Sequence, residues 1–110
     1  MRVADAGVWL DDNDVTVTID CAKNDVVEAN GNGIRLTLKG TCNRVDLNGN
    51  RNTLTGSVKL LGIAGFRNTA NLDAVDVVMV VSDENTVTYE TRSKPHVHNS
   101  GKQNRIMPAK

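Results

Sequence analysis

Two histidines near the C-terminal end form the arrangement in this sequence that could hold a metal ion. His96 and His98 alternate along the chain, so on a strand their imidazoles would face the same side. Two ligands are too few for a zinc site, and no carboxylate or cysteine lies within several residues of the pair. We therefore expect a solvated polar strand, with no metal and no cofactor.

The acidic run Asp11-Asp12-Asn13-Asp14 supplies oxygens of the kind that calcium prefers. It lacks the Asp-x-Asp-x-Asp-Gly spacing and the terminal Glu of a calcium loop, so a charged cap is the better interpretation. The sequence also shows no matched pair of general acid and general base. We expect no catalytic residues and no enzymatic activity.

The elements that position these groups are marked by a repeated phrase, in which Asn is followed two positions later by an aliphatic residue or Ala. Successive phrases are about 16 to 20 residues apart, and a small residue often stands three places before the Asn. We assign seven of the asparagines to corners of a repeating turn: Asn13, Asn32, Asn43, Asn52, Asn68, Asn85 and Asn104. The small residues are Ala29, Gly40, Gly49, Gly65, Ser82 and Gly101.

This spacing favours an all-β fold, a small parallel β-solenoid of about five turns of 16–20 residues. A Gly or small residue at a corner tolerates positive φ, and stacked asparagines can form an amide ladder. Alternating stretches such as Ile34-Arg35-Leu36-Thr37-Leu38 would then point aliphatic side chains inward. The alternative is a small sandwich or meander in which Gly-Asn pairs form hairpin turns. We divide the chain into an N-terminal cap (1–12), solenoid repeats (13–92), and a last repeat with a C-terminal arm (93–110).

The two cysteines, Cys21 and Cys42, lie about one turn apart. Stacked turns could bring their Cα atoms within reach of a disulfide. In a reducing cytosol the same pair would remain two buried thiols, so both states stay open at this point.

Two apolar stretches interrupt the alternation, at 58–64 and 75–81. Strands that are apolar on both sides need cover on both sides. We expect a protein interface that contains Val75, Val77, Val78 and Met79, with the tail residues His96, His98 and Arg105 on a neighbouring subunit. The alternative is that the chain's own termini provide the cover.

The composition narrows the range of partners. Thirteen Lys and Arg balance thirteen Asp and Glu, so the chain lacks the basic stripe of a nucleic-acid binder. No apolar run approaches the roughly 18 to 20 residues that span a membrane. Residues 1–12 also lack the apolar segment of a secretory signal, which favours a protein that stays where it is made unless a signal has been removed.

Several phrases in the chain resemble the repeats of an actinobacterial family known as domain-of-unknown-function family 3060. The similarity covers roughly residues 13–106 and includes an early Asp-Cys, a Gly-x-Cys about one turn later, and Gly-x-x-Asn-x-Val corners. The phrases are Asp20-Cys21-Ala22-Lys23, Gly40-Thr41-Cys42-Asn43-Arg44-Val45, 48–54, 85–89 and 95–104. The resemblance implies an envelope or secreted protein, or a domain of phages that infect such bacteria, and it implies no activity.

Two functions follow as expectations. The first is a non-catalytic structural protein of an assembly, such as a phage virion protein that decorates a capsid or builds a tail. It would be made in the host cytoplasm and would form a homo-oligomer, for example a trimer, or bind a capsid or tail protein. The second is a secreted or cell-envelope binding module of actinobacteria without enzymatic activity.

Overall fold

The structure is a computed structural model that describes residues 2–4 and 7–109. The described chain consists of strands and short turns, with one 3₁₀ turn at Thr91–Ser93. The strands are β1 (Arg2–Ala4), β2 (Gly7–Leu10), β3 (Thr16–Asp20), β4 (Val26–Ala29), β5 (Arg35–Leu47), β6 (Thr53–Ile63), β7 (Thr69–Val80), β8 (Thr86–Tyr89), β9 (His96–Asn99) and β10 (Arg105–Pro108).

These strands stack in parallel as a β-solenoid of about six turns, one more than the sequence predicted. Among the strands described here, β1 alone runs antiparallel, against β2. One face of the solenoid, face A, contains β3, β8, β10 and the first halves of β5, β6 and β7. The opposite face, face B, contains β2, β4, β9 and the second halves of the same three long strands.

The pairing register defines the turns, which we call rungs. The first face-B positions of successive rungs are Gly7, Val26, Arg44, Leu60, Val77 and His96. The rungs are therefore rung 1 (7–25), rung 2 (26–43), rung 3 (44–59), rung 4 (60–76), rung 5 (77–95) and rung 6 (96–109). Equivalent positions in successive rungs form a column along the solenoid axis.

The core lies between the two faces and follows from the alternation of each strand. Aliphatic side chains at alternate positions point inward and stack on their equivalents in the next rung. One such column on face A contains Leu36, Leu54, Ala70 and Val87, all of which are almost completely buried. A facing column on face B contains Val27, Val45, Leu61 and Val78, each with 0% exposure. The narrow core therefore needs no large aromatic side chain.

The strand pairing at the two ends of the described stack differs from the predicted division into cap, repeats and arm. β2 pairs in parallel with β4, so residues 7–10 of the predicted N-terminal cap already belong to rung 1. At the other end, β9 and β10 pair in parallel with β7 and β8, so 96–108 form a regular rung. Residues 1, 5, 6 and 110 of the predicted cap and arm lie outside the described residues. No helix in the described part of the chain is long and apolar enough to cross a membrane.

A disulfide joins rung 1 to rung 2. Cys21 follows β3 and Cys42 lies in β5, and their Cα atoms are 4.9 Å apart. Both side chains are buried, with exposures of 5% and 0%. The bond closes a loop with a sequence separation of 21, and it connects an edge rung to the interior of the stack.

We expect the double substitution Cys21→Ala/Cys42→Ala to lower the free energy of unfolding by about 3 kcal/mol, because opening a loop of this length restores entropy to the unfolded chain. Urea denaturation of the oxidised wild type and of the variant measures the difference. Wild-type protein unfolded in the presence of reductant is the matched control and should lose a similar amount. Equal midpoints for all three samples would contradict the stabilising role of the bond.

Candidate functional site

One corner of the solenoid, between the end of face B and the start of face A, contains most of the side-chain hydrogen bonds between rungs. In rung 4, the Asn68 side chain reaches back to the corner of rung 3 and contacts it twice. Its Oδ1 accepts the backbone N–H of Asn52 at 2.9 Å, and its Nδ2 donates to the carbonyl of Gly49 at 3.0 Å. One buried amide thus closes both ends of the preceding corner.

The same pair of hydrogen bonds recurs along the column. Asn52, Asn85 and Asn104 each accept an N–H from the preceding rung and donate to a carbonyl three residues before that N–H. The first two rungs have Val15 and Ile34 at this position, where an aliphatic side chain joins the core instead. We call this column the inner asparagine column.

The glycines at this corner are required for close approach. A Cβ built on Gly49 would collide with the carbonyl oxygen of Gly31, and one on Gly65 would collide with that of Gly49. The sequence interpretation attributed such glycines to positive φ, but neither Gly49 nor Gly65 adopts it. Positive φ falls two residues later, at Asp14, Gly33, Arg51, Arg67, Glu84 and Gln103.

The seven asparagines assigned to corners do not share one column. Asn13 and Asn32 belong to a second, more exposed column in which Oδ1 accepts the N–H of the following rung. Asn43 lies at a different corner, where its Nδ2 donates to Asp25 at 2.6 Å. The other four form the inner asparagine column: Asn52, Asn68, Asn85 and Asn104. The prediction of a single ladder was therefore wrong for three of the seven residues.

A shallow depression of about 290 Å³ lies at this same corner, between rungs 3 and 5. It is lined by Asn50, Arg51, Phe66, Arg67 and Glu84, and Phe66 is 49% exposed. Arg67 donates from Nε to Oε2 of Glu84 at 3.2 Å. We call these five residues the Phe66 corner. The sequence analysis did not single it out, although Phe66 is the only phenylalanine of the chain.

A second candidate surface lies on the outside of face B. Leu60 and Val77 are half-buried, while Met79 and Val81 are 41% and 60% exposed. We call these four residues the apolar strip. It borders a depression of about 270 Å³ at Gly62, whose other side carries Glu28 and Asp46. An ion pair in the lining of this depression joins Arg44 Nε to Asp46 Oδ2 at 2.9 Å.

The remaining residues of the predicted interface do not share one surface, because the pleat of a strand points alternate side chains to opposite sides. Val75 and Val78 have 1% and 0% exposure and point into the core, so they cannot contact a partner, and this part of the expectation was wrong. His96 and His98 lie exposed on β9, on the same side of face B as Val77 and Met79. Arg105 is exposed at the start of β10. Among the described residues, no group of three or more His, Cys, Asp or Glu could hold a metal ion.

We expect Asn68→Ala to lower the free energy of unfolding by about 2–4 kcal/mol, because it leaves the buried N–H of Asn52 and carbonyl of Gly49 without their partner. Asn71→Ala is the control, since Asn71 is exposed and should change stability by less than about 0.5 kcal/mol. Chemical denaturation of both variants checks the difference. Similar midpoints would show that the inner asparagine column contributes little.

Comparison with known proteins agrees with the repeat pattern. The sequence model of the family described as protein of unknown function (DUF3060) matches residues 53–103. The matched segment runs from the start of β6 to the corner of rung 6, and so includes Asn68 and Asn85 of the inner asparagine column. No curated protein and no solved structure matches the chain significantly. Over residues 53–103 the chain is therefore similar to the DUF3060 family of proteins of unknown function, the family that the sequence phrases resemble.

Proposed function

We propose that this protein is a non-catalytic structural component of an assembly, which it joins through protein contacts at rung 6 of its solenoid. The observation that supports this proposal is the exposure of rung 6. Its inward position on face B is occupied by Val97, which is 41% exposed, whereas the equivalent Val78 and Val45 are fully buried. In a repeat stack, an inward position is ordinarily covered by a neighbouring repeat or by a capping element, so an exposed one favours contact with a further partner.

The backbone of rung 6 supports the same conclusion. Among the described strands, β9 pairs with β7 alone and β10 pairs with β8 alone, so each has an unpaired edge there. All four residues of β9 are exposed. Open edges of parallel strands are sites where another chain can add a strand, and soluble proteins usually protect them. Here the edges coincide with the exposed Val97, which offers a partner both hydrogen bonds and apolar contact.

The charge of this end indicates the chemistry of the partner. Between 96 and 109 the chain has no carboxylate side chain, and it carries Lys102 and Arg105 together with His96 and His98. A basic end with a small apolar centre favours a partner surface that carries acidic groups around an apolar patch. Rung 1 is acidic, with Asp11, Asp12, Asp14, Asp20 and Asp25 against Lys23. Another copy of the chain therefore offers a surface of the required charge.

The apolar strip provides a second, lateral contact in the proposed assembly. Met79 and Val81 point outward and lie next to the half-buried Leu60 and Val77. Lateral contact through this strip would produce a closed homo-oligomer such as a trimer. In its most specific form, the proposal is a phage particle protein that decorates a capsid or forms part of a tail. Its partners would then be copies of itself or a capsid or tail protein.

We expect the purified chain to self-associate at micromolar concentration, and Val97→Lys to weaken the association at least tenfold because it places a charge at the exposed inward position of rung 6. Size-exclusion chromatography with light scattering measures the mass across a dilution series. Thr55→Lys is the matched control, since Thr55 is exposed on face A. Val77→Lys tests the apolar strip separately. A monomer at every concentration would contradict the homo-oligomer, and an unchanged mass for Val97→Lys would contradict the role of rung 6.

The disulfide favours a second candidate function, a secreted or cell-envelope binding module. Disulfides persist in oxidising compartments and are rare where cellular reductants act. The Cys21–Cys42 bond is buried and joins two rungs, so it would stabilise a thin fold outside the cytoplasm. This candidate shares the solenoid with the first one and differs in its location and ligand.

For the extracytoplasmic candidate, we expect protein prepared without reductant to contain fewer than 0.1 free thiols per chain after unfolding, on the order of the background of the assay. Thiol titration in denaturant measures this value, and a sample reduced beforehand supplies the two-thiol control. Two reactive thiols in protein isolated from its native location would contradict this second candidate. They would leave the assembly proposal intact, because rung 6 does not contain the cysteines.

A further inference from the structure

The Phe66 corner is the place where the repeat of the solenoid departs from its own pattern. Phe66 occupies the second asparagine column, in which Asn13, Asn32 and Asn50 use Oδ1 to accept the N–H of the following rung. Asp83 in the next rung makes the same contact with Lys102. A phenyl ring has no oxygen with which to accept this hydrogen bond. The chain therefore gives up one contact of the ladder and exposes an aromatic ring there.

The neighbouring column adopts positive φ in every rung, at Asp14, Gly33, Arg51, Arg67, Glu84 and Gln103. Positive φ costs free energy for a residue with a Cβ and very little for glycine, so Arg51 and Arg67 share this cost with other rungs. What sets the Phe66 corner apart is that these two guanidinium groups flank an exposed ring. A lost hydrogen bond that coincides with an exposed aromatic ring and two cations is typical of a site retained for binding.

The side chains of this corner combine three kinds of contact in one depression. Phe66 supplies a flat apolar surface with 49% exposure. Arg51 and Arg67 supply guanidinium donors, of which Arg67 contacts Glu84. Asn50 Oδ1 accepts the N–H of Phe66, and the NH₂ group of the same side chain is a donor from which a ligand oxygen could accept a hydrogen bond. The lining has two cations and one anion, which gives it a net positive charge.

We propose that the Phe66 corner binds a carboxylated saccharide, such as a uronic acid unit of an acidic polysaccharide. The C–H face of the sugar ring stacks on Phe66. Its carboxylate forms a bidentate pair with Arg51, since guanidinium and carboxylate match in geometry. Its hydroxyls donate to Glu84 and accept from the Asn50 amide. A single carboxylate per sugar suits the single excess positive charge of the lining.

This inference goes beyond the assembly function and depends on a different surface. The Phe66 corner spans rungs 3 to 5, whereas the proposed assembly contact lies at rung 6. Loss of self-association in a rung 6 variant would therefore leave saccharide binding unchanged. A defect at the Phe66 corner would likewise leave the mass of the assembly unchanged.

The test is titration of the full, ¹⁵N-labelled chain with trigalacturonic acid, followed by backbone amide shifts. We expect saturable binding in the millimolar range or tighter, with shifts confined to 50–51, 66–67 and 84. The trimethyl ester of the same oligosaccharide is the ligand control and should bind at least tenfold more weakly, because it keeps the ring faces and loses the charge. Triglutamate is the second control and offers carboxylates without a sugar ring.

Two variants separate binding from folding. Phe66→Asn restores the missing acceptor of the second asparagine column, and Arg51→Gly relieves the positive φ. We expect both to raise the melting temperature and to weaken trigalacturonate binding at least tenfold. Gln103→Gly is the matched control: it relieves the same strain in rung 6, where φ is 60°, and should leave binding unchanged.

Three outcomes would overturn the proposal. The first is absence of saturable binding, the second is equal affinity for the ester or for triglutamate, and the third is unchanged affinity in both Phe66→Asn and Arg51→Gly. Because those two substitutions are expected to stabilise the fold, a loss of binding cannot be attributed to unfolding, and the melting temperatures verify this directly.

Discussion

The buried asparagine side chain that connects one rung to the next is the interaction on which the rest of the solenoid depends. A corner must turn the chain sharply, which leaves backbone N–H and C=O groups that the strands cannot pair. Asn68 satisfies one of each in the preceding rung, and Asn85 does the same for the rung of Asn68. The short side chain reaches both groups only if the rungs approach closely. The chain therefore has glycine at 49 and 65, where a Cβ would collide with the backbone of the preceding rung. The spacing that this contact sets also stacks the aliphatic core.

The candidate sites lie where this arrangement is incomplete. In rung 6, Val97 is 41% exposed, and β9 and β10 each have one edge that is unpaired among the described strands. At the Phe66 corner the stack continues, yet an exposed aromatic ring between two arginines replaces a hydrogen-bonding side chain. A sequence whose local and global preferences otherwise agree tends to break its own rules at sites of function. The two places break different rules, which is why we assign them different partners.

Much of the architecture could be predicted from the sequence, because the Asn phrase recurs once per rung and the strands alternate. The column of each asparagine could not be predicted, because a one-residue difference in position decides which column an asparagine occupies. Insertions around Gly40 and Gly56 also shift the register between neighbouring rungs. The apolar stretch 75–81 looked like an interface throughout, but the pleat sends Val75 and Val78 to the core and leaves Val77 and Met79 outside. The Phe66 corner was missed because its significance depends on which residues are equivalent between rungs.

Hydrogen exchange of the corner amides is the most direct measurement of the central claim. The backbone N–H groups of Asn52, Asn68 and Ile34 lie in a turn, yet each donates to a buried asparagine side chain. We expect these three amides to exchange as slowly as those of the core strands, with opening free energies near that of global unfolding. If they exchange as fast as the amides of an exposed loop, the asparagine side chains do not hold the rungs together.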